Sequence, residues 1–208
     1  THTEDDATGM ITTARLREAE TSIKKLLNAG PEYKIIEAGS GTTGAVHRLQ
    51  QILGIYLPPV AKDLFSRLLE HHMEAGDLEK LKNYLFSNRP VVFVGPYEHH
   101  SNEVSWRECF AEVVEIELDT AGLLDLEDLE VKLSRPEYRG RRLIGAFSAA
   151  SNVSGVKTPV YEVAQRLHRH GALAFFDFAA SAPYVKIDIS RDDESYFDGI
   201  YFSPHKFL

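Results

Sequence analysis

Ala172-Leu173-Ala174-Phe175-Phe176-Asp177 is an apolar run that ends in a carboxylate. It reads as a strand finishing at Asp177. A carboxylate beside so apolar a strand costs desolvation unless something pairs with it. A turn cap on the following Ala179-Ala180-Ser181 is the bland use of Asp177. A metal ligand, or a partner for a cationic ring nitrogen, is the functional one.

Reading outward from this strand gives the architecture. Upstream, Thr158-Pro159 offers a capping hydroxyl and then proline at the first helical position. Val160, Val163, Ala164 and Leu167 recur on one face, and Gly171 ends the helix. Before it, Leu143 to Phe147 is a strand running into Ser148-Ala149-Ala150-Ser151-Asn152. Asp125 caps a predicted short helix from Leu126 to Leu133. Val113 to Leu118 and Val91 to Val94 are strands, the latter leading into Glu98-His99-His100-Ser101-Asn102. Downstream, Val185 to Ile189 reads as a short strand. Gly199-Ile200-Tyr201-Phe202 is another, and it ends in Ser203-Pro204-His205-Lys206.

The first third is more helical. Leu16, Ala19, Ile23, Leu26 and Leu27 share a face of a helix predicted to start near Thr12 or Thr13 and to stop at Gly30-Pro31. Tyr33 to Glu37 reads as a strand. It is followed by Gly39-Ser40-Gly41-Thr42-Thr43-Gly44 and a helix from Ala45 to about Leu53. Val60, Leu64, Phe65, Leu68 and Leu69 mark an amphipathic helix, and Asp77 to Phe86 another. Strands alternating with helices at this spacing predict an α/β fold with a mostly parallel sheet flanked by helices. No internal boundary divides residues 1–208, so a single domain is expected.

Composition narrows the function. A net charge of -8, from 23 basic and 31 acidic side chains, speaks against nucleic acid as the main partner. No apolar run approaches the roughly 20 residues of a membrane span, and the polar N-terminus does not read as a signal peptide. Cys109 is the single cysteine, so no disulfide can form within the chain, and a reducing cytoplasm is the expected setting. Cys109 itself reads as packing. His71, His72, His168 and His170 read as surface residues on helices. His99 and His100 lack the spacing of a metal site, and no metal is expected.

In such a sheet the carboxyl ends of the strands share one edge, where open α/β sheets bind ligands. The polar segments after the predicted strands, with Lys206 after the last, gather there. Gly39-x-Gly41-x-x-Gly44 matches a dinucleotide fingerprint only weakly, because the acidic residue at the right distance, Asp63, falls in a helix. Backbone amides at a helix N-terminus beside Thr42 and Thr43 suit a single phosphate instead. A Walker P-loop is excluded, since no Gly-Lys-Ser/Thr follows. An imidazole from the His99-His100 pair suits stacking on an aromatic ligand. The Asn-x-Ser at Asn152 reads as a loop hydrogen bond.

Taken in order, these motifs resemble the large domain of class V, fold-type I pyridoxal-phosphate enzymes, nearest in pattern to the cysteine desulfurase and selenocysteine lyase group. Gly41-Thr42-Thr43 is similar to the family's phosphate loop, and Glu98-His99-His100-Ser101-Asn102 to its Glu-His-His-x-Asn segment. Ser151-Asn152-Val153-Ser154-Gly155 resembles its Ser-Asn-x-x-Gly turn, and Ser203-Pro204-His205-Lys206 its Ser-Gly-His-Lys. Asp177 heads the counterpart of its Asp-Gly-Ala-Gln. Phe178 and Pro204 stand in place of glycines, Ala180 in place of a glutamine, and Gly44 in place of a glutamate.

The resemblance implies pyridoxal 5'-phosphate as cofactor and a small amino acid as substrate. Sulfur or selenium elimination, or transamination, would be the chemistry. It implies that Lys206 holds the cofactor aldehyde as a Schiff base and shuttles protons. Asp177 would pair with the pyridinium nitrogen, and His99 would stack on the ring. Thr42, Thr43, Ser203 and His205 would hold the phosphate, and Asn152 would reach the ring hydroxyl. His2 would lie near the site. A homodimer is expected, and so is a chain truncated at both ends, lacking the small domain. Two other readings stand beside this one: a nicotinamide-dependent oxidoreductase built on the Gly39–Gly44 loop, and a catalytically inactive fragment.

Overall fold

The computed structural model describes residues 6–207. His2 and Leu208 lie outside the described residues. Five strands form one sheet: β1 (Val91–Val94), β2 (Glu112–Glu115), β3 (Leu143–Ser148), β4 (Leu173–Asp177) and β5 (Gly199–Tyr201). Their order is β2-β1-β3-β4-β5, and every neighbouring pair is parallel. The α/β reading with a parallel sheet therefore stands.

Seven α-helices accompany the sheet among the described residues: α1 (Ala7–Leu26), α2 (Gly41–Ile52), α3 (Pro59–His72), α4 (Ala75–Asn88), α5 (His100–Arg107), α6 (Leu126–Leu133) and α7 (Val160–Arg169). Two cores sandwich the sheet. Successive strand residues point to opposite faces. Phe93, Phe147 and Phe176 therefore join Leu129 of α6, Leu167 of α7 and Phe197 on one side. Val92, Val94, Ile144, Ala146 and Phe175 join Val46 of α2 and Trp106 of α5 on the other. Each fully buried aromatic contributes on the order of 1.5–3 kcal/mol of transfer free energy. Helix α7 lies directly on β3, and a Cβ at Gly145 would stand 2.3 Å from a Leu167 methyl. Glycine at 145 is thus set by helix–sheet contact.

Several local expectations give way to tertiary structure. Helix α1 begins at Ala7, capped by Asp6, which accepts from the Gly9 amide at 2.7 Å. Thr12 instead spends its hydroxyl on the Thr8 carbonyl within the helix. The chain leaves α1 through Asn28 at φ 53°, two residues before Gly30. Tyr33 to Glu37 forms no strand. The Tyr33 carbonyl, an acceptor that a ladder would need, takes a bond from the Lys24 ammonium, and the Tyr33 hydroxyl donates to the Phe197 carbonyl at 3.0 Å. Val185 to Ile189 is likewise irregular: Ile187 and Ile189 plug the core, and the Ile189 amide donates to the Leu27 carbonyl at 2.9 Å. Thr158 does not cap α7; its hydroxyl donates to the Ser148 carbonyl.

Helices α3 and α4 contribute no buried residue, and Val60, Leu64, Phe65 and Leu68 remain exposed. Their apolar stripes do not face this chain's core. No helix of the described residues is long and apolar enough to cross a membrane. His71 and His72 are exposed as expected, but His168 is not a free surface residue. Its ring bonds the Asp198 carboxylate at 3.0 Å and the Glu194 carbonyl at 2.8 Å, and it stacks on Tyr196. His170 similarly meets Glu130 at 2.6 Å. Both histidines staple helix α7 to neighbouring segments.

Candidate functional site

The strand order places the switch point between β1 and β3, where the chain first moves outward to β2 and then crosses back. The crevice beyond the carboxyl ends of such a strand pair is where open α/β sheets receive ligands. A cleft of about 180 Å³ lies there. Thr42, Thr43, His99, Asn152, Asp177, Ser203, His205 and Lys206 all line it. The structure thus brings every candidate within the described residues to one place. Ser148, Ala179 and Ala180 also line it, and sequence reasoning had not singled out Ser148.

The wall nearest α2 has the chemistry of an anion cradle. Helix α2 starts at Gly41, earlier than the predicted Ala45, so Gly41, Thr42 and Thr43 form its first turn. First-turn amides have no intrahelical acceptor, and the helix dipole makes this end positive. The Thr42 amide and hydroxyl each lie 3.0 Å from Ser203 Oγ. Gly41 sits at φ +64°, and a Cβ there would come within 3.0 Å of Ser203 Oγ and 3.3 Å of His205. The close approach of α2 to the Ser203–Lys206 segment therefore depends on glycine. That segment is a single 3₁₀ turn, Pro204–Lys206, which leaves His205 and Lys206 exposed toward the cleft.

The same geometry removes the dinucleotide reading. That fingerprint requires a strand leading into the glycine loop, and the segment before Gly39 carries none.

Asp177 forms part of the floor. It is 4% exposed, and among the described residues its side chain accepts one hydrogen bond, from the Ala179 amide at 2.7 Å. Burial pushes its carboxyl above the ordinary value of 3.8, while the Ala179 bond and the charges of His99 and Lys206 oppose the rise. A desolvated carboxylate with so few partners is poised to accept a cationic donor. Phe178, in a family glycine position, turns away into the core beside Phe197.

His99 stands above, exposed at the N-cap of α5. Its Nδ1 accepts from the Ser101 amide at 3.2 Å and meets Ser101 Oγ at 2.6 Å. These contacts hold the exposed ring by its Nδ1 edge. Asn152 is exposed at the tip of its turn, where the Ser151 hydroxyl accepts from the Val153 and Ser154 amides at 3.3 and 3.2 Å. No group of three or more His, Cys, Asp or Glu among the described residues could hold a metal.

Beneath the floor lies a network that the sequence did not announce. The Glu98 carboxylate accepts from the amides of Gly95 (3.1 Å) and Ser148 (2.8 Å), the Ser148 hydroxyl (2.6 Å) and Asn102 Nδ2 (2.8 Å). Fully buried Asn102 also donates to the Ala146 carbonyl and accepts from Trp106 Nε1 and the Tyr201 hydroxyl. Burial pushes the Glu98 carboxyl up to about 7, with Asp177 adding to the rise and the Ser148 and Asn102 bonds lowering it. Cys109, as anticipated, is buried packing, its thiol pushed up to about 11 by desolvation.

Comparison with known proteins bears on the family and the fold. The sequence profile of "Aminotransferase class-V" matches residues 78–208. A probable cysteine desulfurase of Halalkalibacterium halodurans is 36% identical over 119 residues, covering 55% of this chain and 27% of that protein. A cysteine desulfurase of Synechococcus elongatus is 32% identical over 113 residues, covering 52% of this chain and 17% of that protein. Among solved structures, a cysteine desulfurase of Escherichia coli superposes with a TM-score of 0.65 at 25% identity, over 99% of this chain and 43% of that one. An apo cysteine desulfurase of Thermococcus onnurineus gives a TM-score of 0.69 at 21% identity, over 99% of this chain and 42% of that one, which speaks to the fold. The chain therefore spans less than half the length of these solved relatives. With the profile covering all five strands and the motifs from Glu98 to Lys206, this chain belongs to the class-V aminotransferase family.

Proposed function

We propose that this chain is the single α/β cofactor-binding domain of a pyridoxal-phosphate enzyme that acts on a small amino acid. Elimination of sulfur or selenium is the favoured chemistry, since the relatives are desulfurases, with transamination as the related outcome. The observation that carries the reading is the convergence of four groups in one cleft: an amine, a desolvated carboxylate, an exposed imidazole and a helix-terminal cradle.

The residues fit the cofactor. The cradle at Gly41 has a left-handed backbone and leaves a Cβ only 3.0 Å from Ser203 Oγ, and it gathers Thr42, Thr43, Ser203 and His205 for a phosphate dianion. Asp177 is the under-partnered carboxylate that a protonated ring nitrogen would satisfy. When bound, the cofactor supplies an electron sink for the bonds at the substrate's α-carbon. Lys206 would anchor it covalently through its amine and then move protons as the free amine. Asp177 would keep the ring nitrogen protonated. His99 would hold the ring face, and Asn152 would reach the ring hydroxyl. A homodimer in a reducing cytoplasm is the assembly and setting that accompany this reading.

The test is cofactor capture rather than turnover. The 208-residue chain mixed with pyridoxal 5'-phosphate should develop a visible absorbance band that borohydride bleaches. Peptide mapping should then place the reduced adduct on Lys206, and Lys206→Ala should abolish it. A colourless mixture, or an adduct on another lysine, would overturn the proposal.

A further inference from the structure

Glu98 ties the carboxyl ends of the two strands of the switch point together. Its first oxygen accepts from the Gly95 amide just past β1 and from the Ser148 amide at the end of β3. Its second accepts from Asn102 Nδ2 of α5 and from the Ser148 hydroxyl. Four donors on one carboxylate match the lone pairs of its ionised form. The turn is shaped around this group, for a Cβ at Gly95 would lie 2.6 Å from Glu98 Oε1.

The Ser148 hydroxyl has two possible directions. Ser148 is the register partner of Asp177 and lines the cleft. While Glu98 is ionised, the Ser148 hydrogen is held inward, on a 2.6 Å bond to the carboxylate. If Glu98 carries a proton on that oxygen, the same short contact persists with its direction reversed. The acid donates to Ser148 Oγ, Asn102 keeps its bond to the remaining lone pair, and the serine hydrogen turns elsewhere. The orientation of Asn102 cannot adapt, because Trp106 Nε1 and the Tyr201 hydroxyl both donate to its oxygen.

We propose that Glu98 is a proton-dependent positioning residue of the cleft. When ionised it keeps the Ser148 hydroxyl as an inward donor. When protonated it releases that hydroxyl to donate to an acceptor atom of whatever lies beside Asp177. The link to a bound cofactor rests on the function proposed above; the switch itself does not.

The charged environment supports it. Asp177 of β4 faces Glu98 and raises its proton affinity. Tyr201 of β5, whose own hydroxyl is raised far above its ordinary value, stays neutral behind Asn102. His99, next in the chain, points its Nδ1 at Ser101. Lys206 lies beyond, where its charge acts on Asp177. With the Glu98 carboxyl at about 7, both forms are populated at neutral pH.

The test uses the whole chain without cofactor. Side-chain carboxyl signals of ¹³C-labelled glutamate are followed from pH 5 to 9. One glutamate should titrate with a midpoint near 7 and be missing in Glu98→Gln. Ser148→Ala removes a donor to the carboxylate, so it should move that midpoint upward. If no glutamate titrates above pH 6, or if Ser148→Ala leaves the midpoint in place, the proposal is wrong. Should Glu98→Gln fail to fold through its amide meeting Asn102 Nδ2, the serine variant still decides. In a second measurement, pyridoxal 5'-phosphate is titrated into the chain across the same range. Its apparent affinity should change through pH 7 in the parent and lose that step in Ser148→Ala. A step of equal size in both proteins would refute the outward role of Ser148. Absence of any binding would refute the cofactor reading while leaving the carboxyl titration to judge Glu98.

Discussion

Thr42 and Ser203, 161 positions apart, hold each other at 3.0 Å through both the Thr42 amide and its hydroxyl. This contact joins the start of α2 to the segment after β5, and Gly41 beside it has a left-handed backbone. Gly41→Ala should cost about 1–2 kcal/mol of stability from the backbone alone, and its Cβ would push Ser203 away. We expect pyridoxal-phosphate affinity to fall about tenfold or more, equivalent to about 1.4 kcal/mol. Thermal unfolding and an absorbance titration would measure the two effects separately. An alanine variant with unchanged affinity would mean the cradle does not grip the phosphate.

Asn102 satisfies both its polar ends inside the protein, bonding to Glu98, Ala146, Trp106 and Tyr201. Asn102→Leu would orphan the indole N–H and the tyrosine O–H together. At about 1–3 kcal/mol for each buried unsatisfied group, the loss should be on the order of 2–6 kcal/mol. Trp106 is the only tryptophan in the chain, so its emission during denaturant unfolding reports the effect directly. A midpoint within error of the parent would contradict the network.

The sheet and the cleft were legible in the sequence for a physical reason. β1, β3 and β4 are buried on both faces, so they read as unbroken apolar runs, and the residue after each run falls at the carboxyl edge. Asp177 could be placed by that logic, while Lys206 follows the half-buried β5 by five residues. Tyr33 to Glu37 and Val185 to Ile189 are also rich in β-branched and aromatic residues, with charges interleaved, yet neither pairs with a neighbour. Tyr33 gives its carbonyl to Lys24, and Ile189 gives its amide to Leu27. Propensity cannot see where a partner strand lies. The part Glu98 plays is not legible in the sequence, because it depends on Ser148, 50 positions away. The pairing of His168 with Asp198 was invisible for the same reason.

Cys109 should be chemically quiet. Its thiol, pushed up to about 11, would be about one part in a thousand thiolate at pH 8, against roughly a quarter for an unperturbed cysteine near 8.5. Alkylation by iodoacetamide at that pH should therefore be at least 100-fold slower than for a free thiol, and should accelerate on unfolding. Cys109→Ser should leave cofactor binding intact. Rapid labelling of the folded chain would show that this segment opens.

Asp177 links stability and cofactor binding with opposite signs. Its carboxyl is raised in the folded chain by burial, with the Ala179 amide as its one hydrogen-bond donor among the described residues. Folding therefore draws in a proton at this site. The stability contributed by Asp177 is complete below the ordinary value of 3.8 and is lost as pH rises through the folded value. Asp177→Asn keeps an oxygen for the Ala179 amide and removes the charge. The empty variant should lose less stability than the parent as pH rises from 4 to 8, narrowing or reversing any deficit. The cofactor should behave the other way. Without a carboxylate to balance a protonated ring nitrogen, binding should weaken by about tenfold or more, as expected when a charge-assisted bond worth about 1.5–3 kcal/mol is lost. Denaturant midpoints at pH 4 and pH 8, together with absorbance titrations of pyridoxal 5'-phosphate, test both halves. A variant that binds the cofactor as well as the parent would show that Asp177 does not meet the ring nitrogen. A variant that follows the parent's stability at both pH values would show that its charge is not confined.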